Sequence, residues 1–378
     1  MKLPSYISTG DADSFAQFTV INRLPGIVRS IAQNNSLDAE TALRLEELAK
    51  AMPESPLEPL PATSGINIRM NDGIRKNAYR WNNAPFIFIE NYLYHLLCEI
   101  MDFKNNGKDY FSCKKNADVI QNKNSFVSSI ERIDKLIADN HGETFRDILY
   151  LNILGNKADL SQIADLRNSK LKLLIDDTEK AVDIFRTAKR IDFVLDNSGE
   201  ELFSDILLVY FLFCKTEIEK IVLHFKTMPY FVSDALKTDF HFLLDEISAS
   251  ERGKNFADTI NQYIQSGRLL LCDDTFWNDT DDFRDMPPHI RIGIDESDLV
   301  IFKGDLNYRK LVEDRHWDFS AKTADLAGYM NTNCLIIRVL KSELITGLDA
   351  NEIPDLSDKT WMYNGEYGLI QTLTAACR

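Results

Sequence analysis

The chain reads as an α/β protein, a three-layer α/β/α arrangement with a doubly wound, mainly parallel sheet and a helical N-terminal domain. Three observations predict this. From about residue 186 short apolar strands alternate with helices, in RIDFVLDN, KIVLHFK, LLLCDD, LVIFKGD and CLIIRVLK, the signature of a parallel sheet buried on both faces. The first half instead places apolar residues at helical spacing. A length of 378 residues also exceeds one small core, so two units are expected, 1–185 and 186–378.

In chain order, FAQFTVINRLPGIVRSIAQ has helical spacing, with Pro25 expected to begin a turn or a new helix. LDAETALRLEELAKAM predicts an amphipathic helix with an acidic first turn. In PESPLEPLPATSG four prolines within nine residues force an extended connection. APFIFIENYLYHLLCEIM is apolar nearly all round and predicts a buried helix, and SFVSSIERIDKLIADN and ETFRDILYLNILGNKADLS continue the helical pattern. The longest apolar run, Ile206 to Cys214, falls far below the roughly 20 residues that span a bilayer and also reads as a buried helix.

Hydrophobic content of 44% with 27% charged residues is that of a soluble globular protein. A net charge of -15 argues against nucleic-acid or anionic-membrane binding, which need a basic surface, yet leaves room for a local basic pocket and an anionic small substrate. Six scattered cysteines without a CxxC pair are expected to be reduced. MKLPSYISTGDADSF has no apolar core and so is not expected to be a signal peptide; a cytoplasmic protein is expected.

The chemistry concentrates at strand ends. IDFVLDNSGEELF stops abruptly at Asp196-Asn197, and Gly199 permits a tight turn into a helix. HFKTMPYFVSDA ends at Asp234, and LVIFKGDLNYRKL places Asp305 just past a strand. Side chains at the carboxyl ends of parallel strands face the ligand crevice. Oxygen donors without histidine or thiolate suit magnesium or manganese better than zinc. Each acid alone also reads as a helix cap or turn former, so a metal site and a set of caps compete. Lys303, Arg309 and Lys341 near the same edge could neutralise a phosphate, Gly304 allows close backbone approach, and Lys157 in GNKADLS looks like a loop residue. There is no Walker A sequence, HExxH, GxSxG elbow or Cys-His pairing signal.

Together LDNSGEELFSDILL, HFKTMPYFVSDA, FKGDLNYRKL and RVLKSEL resemble the metal-dependent damage-control phosphatases, in the branch named after an acidic-residue (protein-glutamate) methyltransferase. The likeness runs from FTVINRLPGIV through APFIFIENYLY and LGNKADLS to WMYNGEYGLIQ. It implies a helical N-terminal domain on a three-layer α/β/α domain. It further implies metal ligation by Asp196, Asn197 and Asp234, and substrate contacts from Lys303, Asp305, Leu306, Asn307, Tyr308, Arg309 and Lys341. Asn156, Lys157 and Glu90 match positions near the pocket. The implied reaction is hydrolysis of sugar phosphates, fructose 1-phosphate and related hexose and pentose phosphates, with manganese, cobalt, nickel or magnesium. Asp196 is the carboxylate expected to orient water or attack phosphorus, with Asp305 as sugar-hydroxyl binder or alternative base. Val339 and Glu200 depart from the pattern without touching a proposed ligand. Two other readings are S-adenosylmethionine-dependent protein-glutamate O-methyltransfer, for which Gly199 alone is a poor donor loop, and non-enzymatic sugar-phosphate binding.

Overall fold

A computed structural model describes residues 3–138, 144–156, 171–349, 353 and 359–375. A seven-stranded sheet runs in the order β1-β7-β6-β5-β2-β3-β4. Its strands are β1 (Lys172–Asp176), β2 (Arg190–Val194), β3 (Lys220–Phe225), β4 (Leu269–Asp273), β5 (Leu299–Lys303), β6 (Asn333–Val339) and β7 (Tyr367–Leu373). Every pairing is parallel except β6 with β7. The sheet is doubly wound and mainly parallel, as the alternating pattern required.

Strand order fixes where a ligand can bind. The chain steps outward from β2 to β3 and β4, then returns to lay β5 against the other side of β2. That reversal beside β2 opens a crevice at the carboxyl ends of β2 and β5. One face of the sheet is covered by Glu200–Lys215, whose ILLVYFLFC run is buried, together with Ser112–Ala138, Thr144–Asn156, Lys237–Ile247 and Glu251–Gln265. The other face carries Gly304–Val312 and Pro288–Asp295. A third core joins Leu24–Asn34, Ala39–Ala51, Gly65–Asn77 and Phe86–Ile100.

The expected domain boundary needs correction. The change of period assigned to about residue 186 comes earlier, since β1 at Lys172–Asp176 already pairs with β7. The helices Ser112–Ala138 and Thr144–Asn156, placed in the N-terminal unit, share a core with β2 and β5 because their apolar faces pack on Glu200–Lys215. Of the two alternatives at Pro25 the new helix is the one found: Pro25 sits in the first turn of Leu24–Asn34, and the chain does not turn there. Phe15–Phe18, a π-helical turn Thr19–Arg23 and Leu24–Asn34 follow one another without a break, and Leu24 N–H bonds Thr19 O five residues back. Pro25 has no N–H to give the preceding turn, and a widened turn absorbs that loss. The cysteines among the described residues are free, and no described helix is long and apolar enough to cross a membrane.

Candidate metal and phosphate site

Three strand ends converge. Asp196 and Asn197 follow β2, and an isolated bridge pairs Asn197 with Asp234, which lies beyond β3. Ala235 N–H donates to Asp196 O at 2.8 Å and Ser198 N–H to Ser233 O at 2.7 Å, so the backbone clamps the two loops together. The β3 loop reaches this position through left-handed backbone at two non-glycine residues, Phe231 (φ 42°) and Val232 (φ 70°). From β5, Gly304 adopts φ +76°, and a Cβ there would lie 1.9 Å from Asp196 Oδ2. Only glycine lets the β5 end approach this carboxylate.

None of these acids caps a helix. Gly199 is the N-cap of Glu200–Lys215, and for Lys237–Ile247 the capping carboxylate is Asp239, accepting from Leu236 N–H at 2.8 Å. Asp196 and Asp234 are left to face each other, both buried. Asn197 Nδ2 donates to Asp196 Oδ2 and to Glu201 Oε2, each at 2.8 Å, while its Oδ1 accepts from Ser233 Oγ at 2.6 Å. Burial, then the neighbouring Glu201 and Asp234, push the Asp196 carboxyl well above the usual carboxylate range despite Lys341 and Lys226. Burial pushes Asp234 up to about 6 against the pull of Lys226 and Lys115. Asp234 Oδ2 accepts no hydrogen bond of good geometry, and its nearest cation, Lys226 Nζ, stands 3.4 Å away.

Among the described residues no three His, Cys, Asp or Glu side chains form a metal cluster. The donor set is instead carboxylate, amide and carboxylate. A hard divalent cation fits it, because it would relieve the repulsion between buried acids and use the Asp234 Oδ2 that Lys226 reaches only at 3.4 Å.

A cleft of about 550 Å³ opens over this centre, lined by Asp196, Asn197 and Asp234 with Glu90, Asp305, Leu306, Arg309 and Lys341. Asp305 Oδ1 accepts from Arg338 Nε at 2.9 Å and from Lys341 N–H at 3.0 Å. Burial would raise its carboxyl, but Arg338 and Arg309 outweigh that and hold it low. Arg309 reaches the cleft with its donors engaged, by Asp314 at 2.7 and 3.0 Å and Glu90 at 2.6 Å.

Lys303, Asn307 and Tyr308, expected to touch substrate, do not line the cleft. Lys303 Nζ is fully buried, 2.9 Å from Asp205 and 3.7 Å from Glu201, and bonds Asn152. Asn307 Nδ2 ties the helix start to Val194 O, Leu195 O and Lys303 O. Tyr308 bonds Thr346 beneath Arg338. The helix Gly304–Val312 turns Asp305, Leu306 and Arg309 to the cleft and its other face to the sheet. Asn156 closes Thr144–Asn156, and Lys157 lies outside the described residues.

Sequence reasoning missed Lys226, although it directly follows β3 much as Lys303 ends β5, and it missed Arg23 and Lys114 in the cleft wall. Arg23 had a signal, since Thr19, Asn22, Arg23, Gly26, Ile27 and Ser30 form one stripe at helical spacing.

Fold and site define a doubly wound α/β protein whose switch-point crevice holds oxygen ligands beside cationic side chains. The family model "damage-control phosphatase ARMT1-like domain" matches residues 19–356, so the chain belongs to that family. "Damage-control phosphatase ARMT1" of Mus musculus is 28% identical over 97% of this chain and 98% of its own length, and that of Homo sapiens 27% identical over 98% of each. A solved DUF89 family protein of Pyrococcus horikoshii shares the fold, with a TM-score of 0.52 at 14% identity over 88% of this chain and 96% of its own.

Proposed function

We propose that this protein is a metal-dependent phosphatase of the cytoplasm that hydrolyses sugar phosphates, with fructose 1-phosphate and related hexose and pentose phosphates as substrates. The observation that carries this reading is the triad Asp196, Asn197 and Asp234 at the switch point, with Lys341 on the rim of the same cleft. A divalent cation held by those three residues, manganese, magnesium, cobalt or nickel, would supply Lewis-acid polarisation of the phosphoryl oxygens. Lys341 places positive charge against the phosphate. Asp305, held ionised by Arg338, suits a sugar-hydroxyl acceptor better than a base. Glu90, fixed by Arg309, offers a second acceptor at the sugar end. Asp196 remains the carboxylate to orient water or to attack phosphorus.

Phosphate release over a sugar-phosphate panel, with manganese or with EDTA, tests the reading. Asp196→Ala and Asp234→Ala are expected to abolish hydrolysis while leaving the far-UV circular dichroism intact, and either variant at full turnover would sink the assignment. The methyltransferase alternative is tested by calorimetry with S-adenosylmethionine. The space in front of Gly199 is occupied by Asp118, whose Oδ2 would lie 2.0 Å from an added Cβ, so the loop offers no glycine-rich cradle for a nucleotide.

A further inference from the structure

Four cationic side chains line the cleft, Arg23, Lys114, Arg309 and Lys341. Arg309 is committed to Asp314 and Glu90, and its guanidinium also lies 4.5 Å over Phe86. It is part of the wall. Arg23 differs. It comes from the helical rod that forms the opposite wall, on the stripe Thr19, Asn22, Arg23, Gly26, Ile27 and Ser30 that faces the cleft. It is the one charged residue of that stripe. The π-helical turn Thr19–Arg23 ends on it, and such single turns are rare and concentrate at functional sites.

Among the described residues no carboxylate forms an ion pair with Arg23; its guanidinium lies 5.0 Å from the Phe15 ring centroid. Stacking on an aromatic face restricts the plane of a guanidinium while leaving its in-plane N–H donors for another partner. An arginine with open donors, facing buried acids that suit a cation, is placed for an anion bound between the two walls.

We propose that Arg23 binds the phosphoryl group of the substrate, opposing Lys341 and closing the helical wall over the site. This rests on the phosphatase reading, but its decisive measurement does not require turnover. Inorganic phosphate is titrated calorimetrically into manganese-loaded wild type, Arg23→Met and Arg23→Lys. Steady-state kinetics with fructose 1-phosphate run in parallel, with free fructose as inhibitor.

Arg23→Met is expected to weaken phosphate binding by about 10- to 100-fold, the range of a lost charge-assisted contact. KM for the sugar phosphate should rise in step while inhibition by free fructose stays unchanged. Arg23→Lys should fall between, restoring charge but not the fork. Unchanged phosphate affinity in Arg23→Met, a wild type that binds no phosphate, or weaker fructose inhibition with phosphate binding intact would each overturn the assignment. If wild type binds phosphate but releases none from the panel, the phosphatase reading fails while calorimetry still decides the role of Arg23.

Discussion

Lys303→Met separates a phosphate ligand from a buried structural cation. The motif KGDLNYR assigns Lys303 to substrate, whereas the structure buries it completely between Asp205, Glu201 and Asn152. Removing one partner of a buried ion pair leaves the other charged and desolvated, at a cost of about 3–5 kcal/mol. At roughly 2.1 cal/mol/K per residue, 378 residues have an unfolding entropy of about 0.8 kcal/mol/K. Tm should therefore fall by roughly 4–6 °C at pH 8.

The loss should shrink on acidification. Burial already pushes the Asp205 carboxyl up to about 6, with Lys303 opposing. A folded-state value above the unfolded one means that stability falls as pH rises through that interval, here from about 4 to about 6. Without Lys303 the folded value moves higher still, so at pH 5.5 Asp205 takes a proton and the variant recovers part of its deficit. Lys303→Met/Asp205→Asn should recover most of it at both pH values. Thermal unfolding at pH 5.5 and 8, beside KM for the sugar phosphate, is the assay. A variant of unchanged Tm whose KM rises tenfold or more would refute the buried-pair reasoning and return Lys303 to the substrate.

Gly304→Ala forces a methyl group against Asp196 Oδ2 and imposes a left-handed strain of roughly 1–2 kcal/mol; hydrolysis should fall by about 10- to 100-fold, as when the support of a metal ligand is lost, with the fold retained by circular dichroism. Val232→Gly relieves a similar strain at φ 70° but adds about 0.5–1 kcal/mol of chain freedom; Tm should hold or rise slightly while KM increases, because Ser233 and Asp234 are no longer held in place. Asp282, pushed up to about 7 chiefly by burial and then by Glu313, makes stability fall as pH rises from about 4 to about 7. Asp282→Asn removes that dependence, and its advantage in urea unfolding should grow from pH 5 to pH 8, reaching on the order of 1 kcal/mol after solvent screening.

What the residues reveal before folding depends on whether the signal is local. β2, β3 and β5 are legible because central parallel strands are buried on both faces and become apolar runs. β1 is not, since its ends are exposed and its middle only half buried, and in β7 Gly368 and Gln371 interrupt the apolar run. The acids at strand ends were equally visible, but their ranking was not. Asp305 is neutralised by Arg338, 33 residues away, and Arg309 by Glu90, 219 residues away, together with the nearby Asp314. Strand-end logic finds charges near a crevice; only the partners decide which of them remain available to a ligand.

The charges around the cleft resolve the tension between an acidic protein and an anionic substrate. Glu90, Asp196, Asp234 and Asp305 contribute negative charge to its lining and Arg23, Lys114, Arg309 and Lys341 positive charge, so the lining is formally neutral. Asp305 and Glu90 are matched by arginines, and Asp234 has Lys226 behind it. Asp196 is matched least, with Glu201 and Asp234 as its strongest electrostatic neighbours. A divalent cation entering there would quench the one concentration of like charge and leave the cleft with a positive surplus of about two, close to the charge of a phosphate monoester at neutral pH. The net charge of -15 therefore lies outside the cleft lining, and a metal bound there would turn the cleft from neutral to anion-attracting.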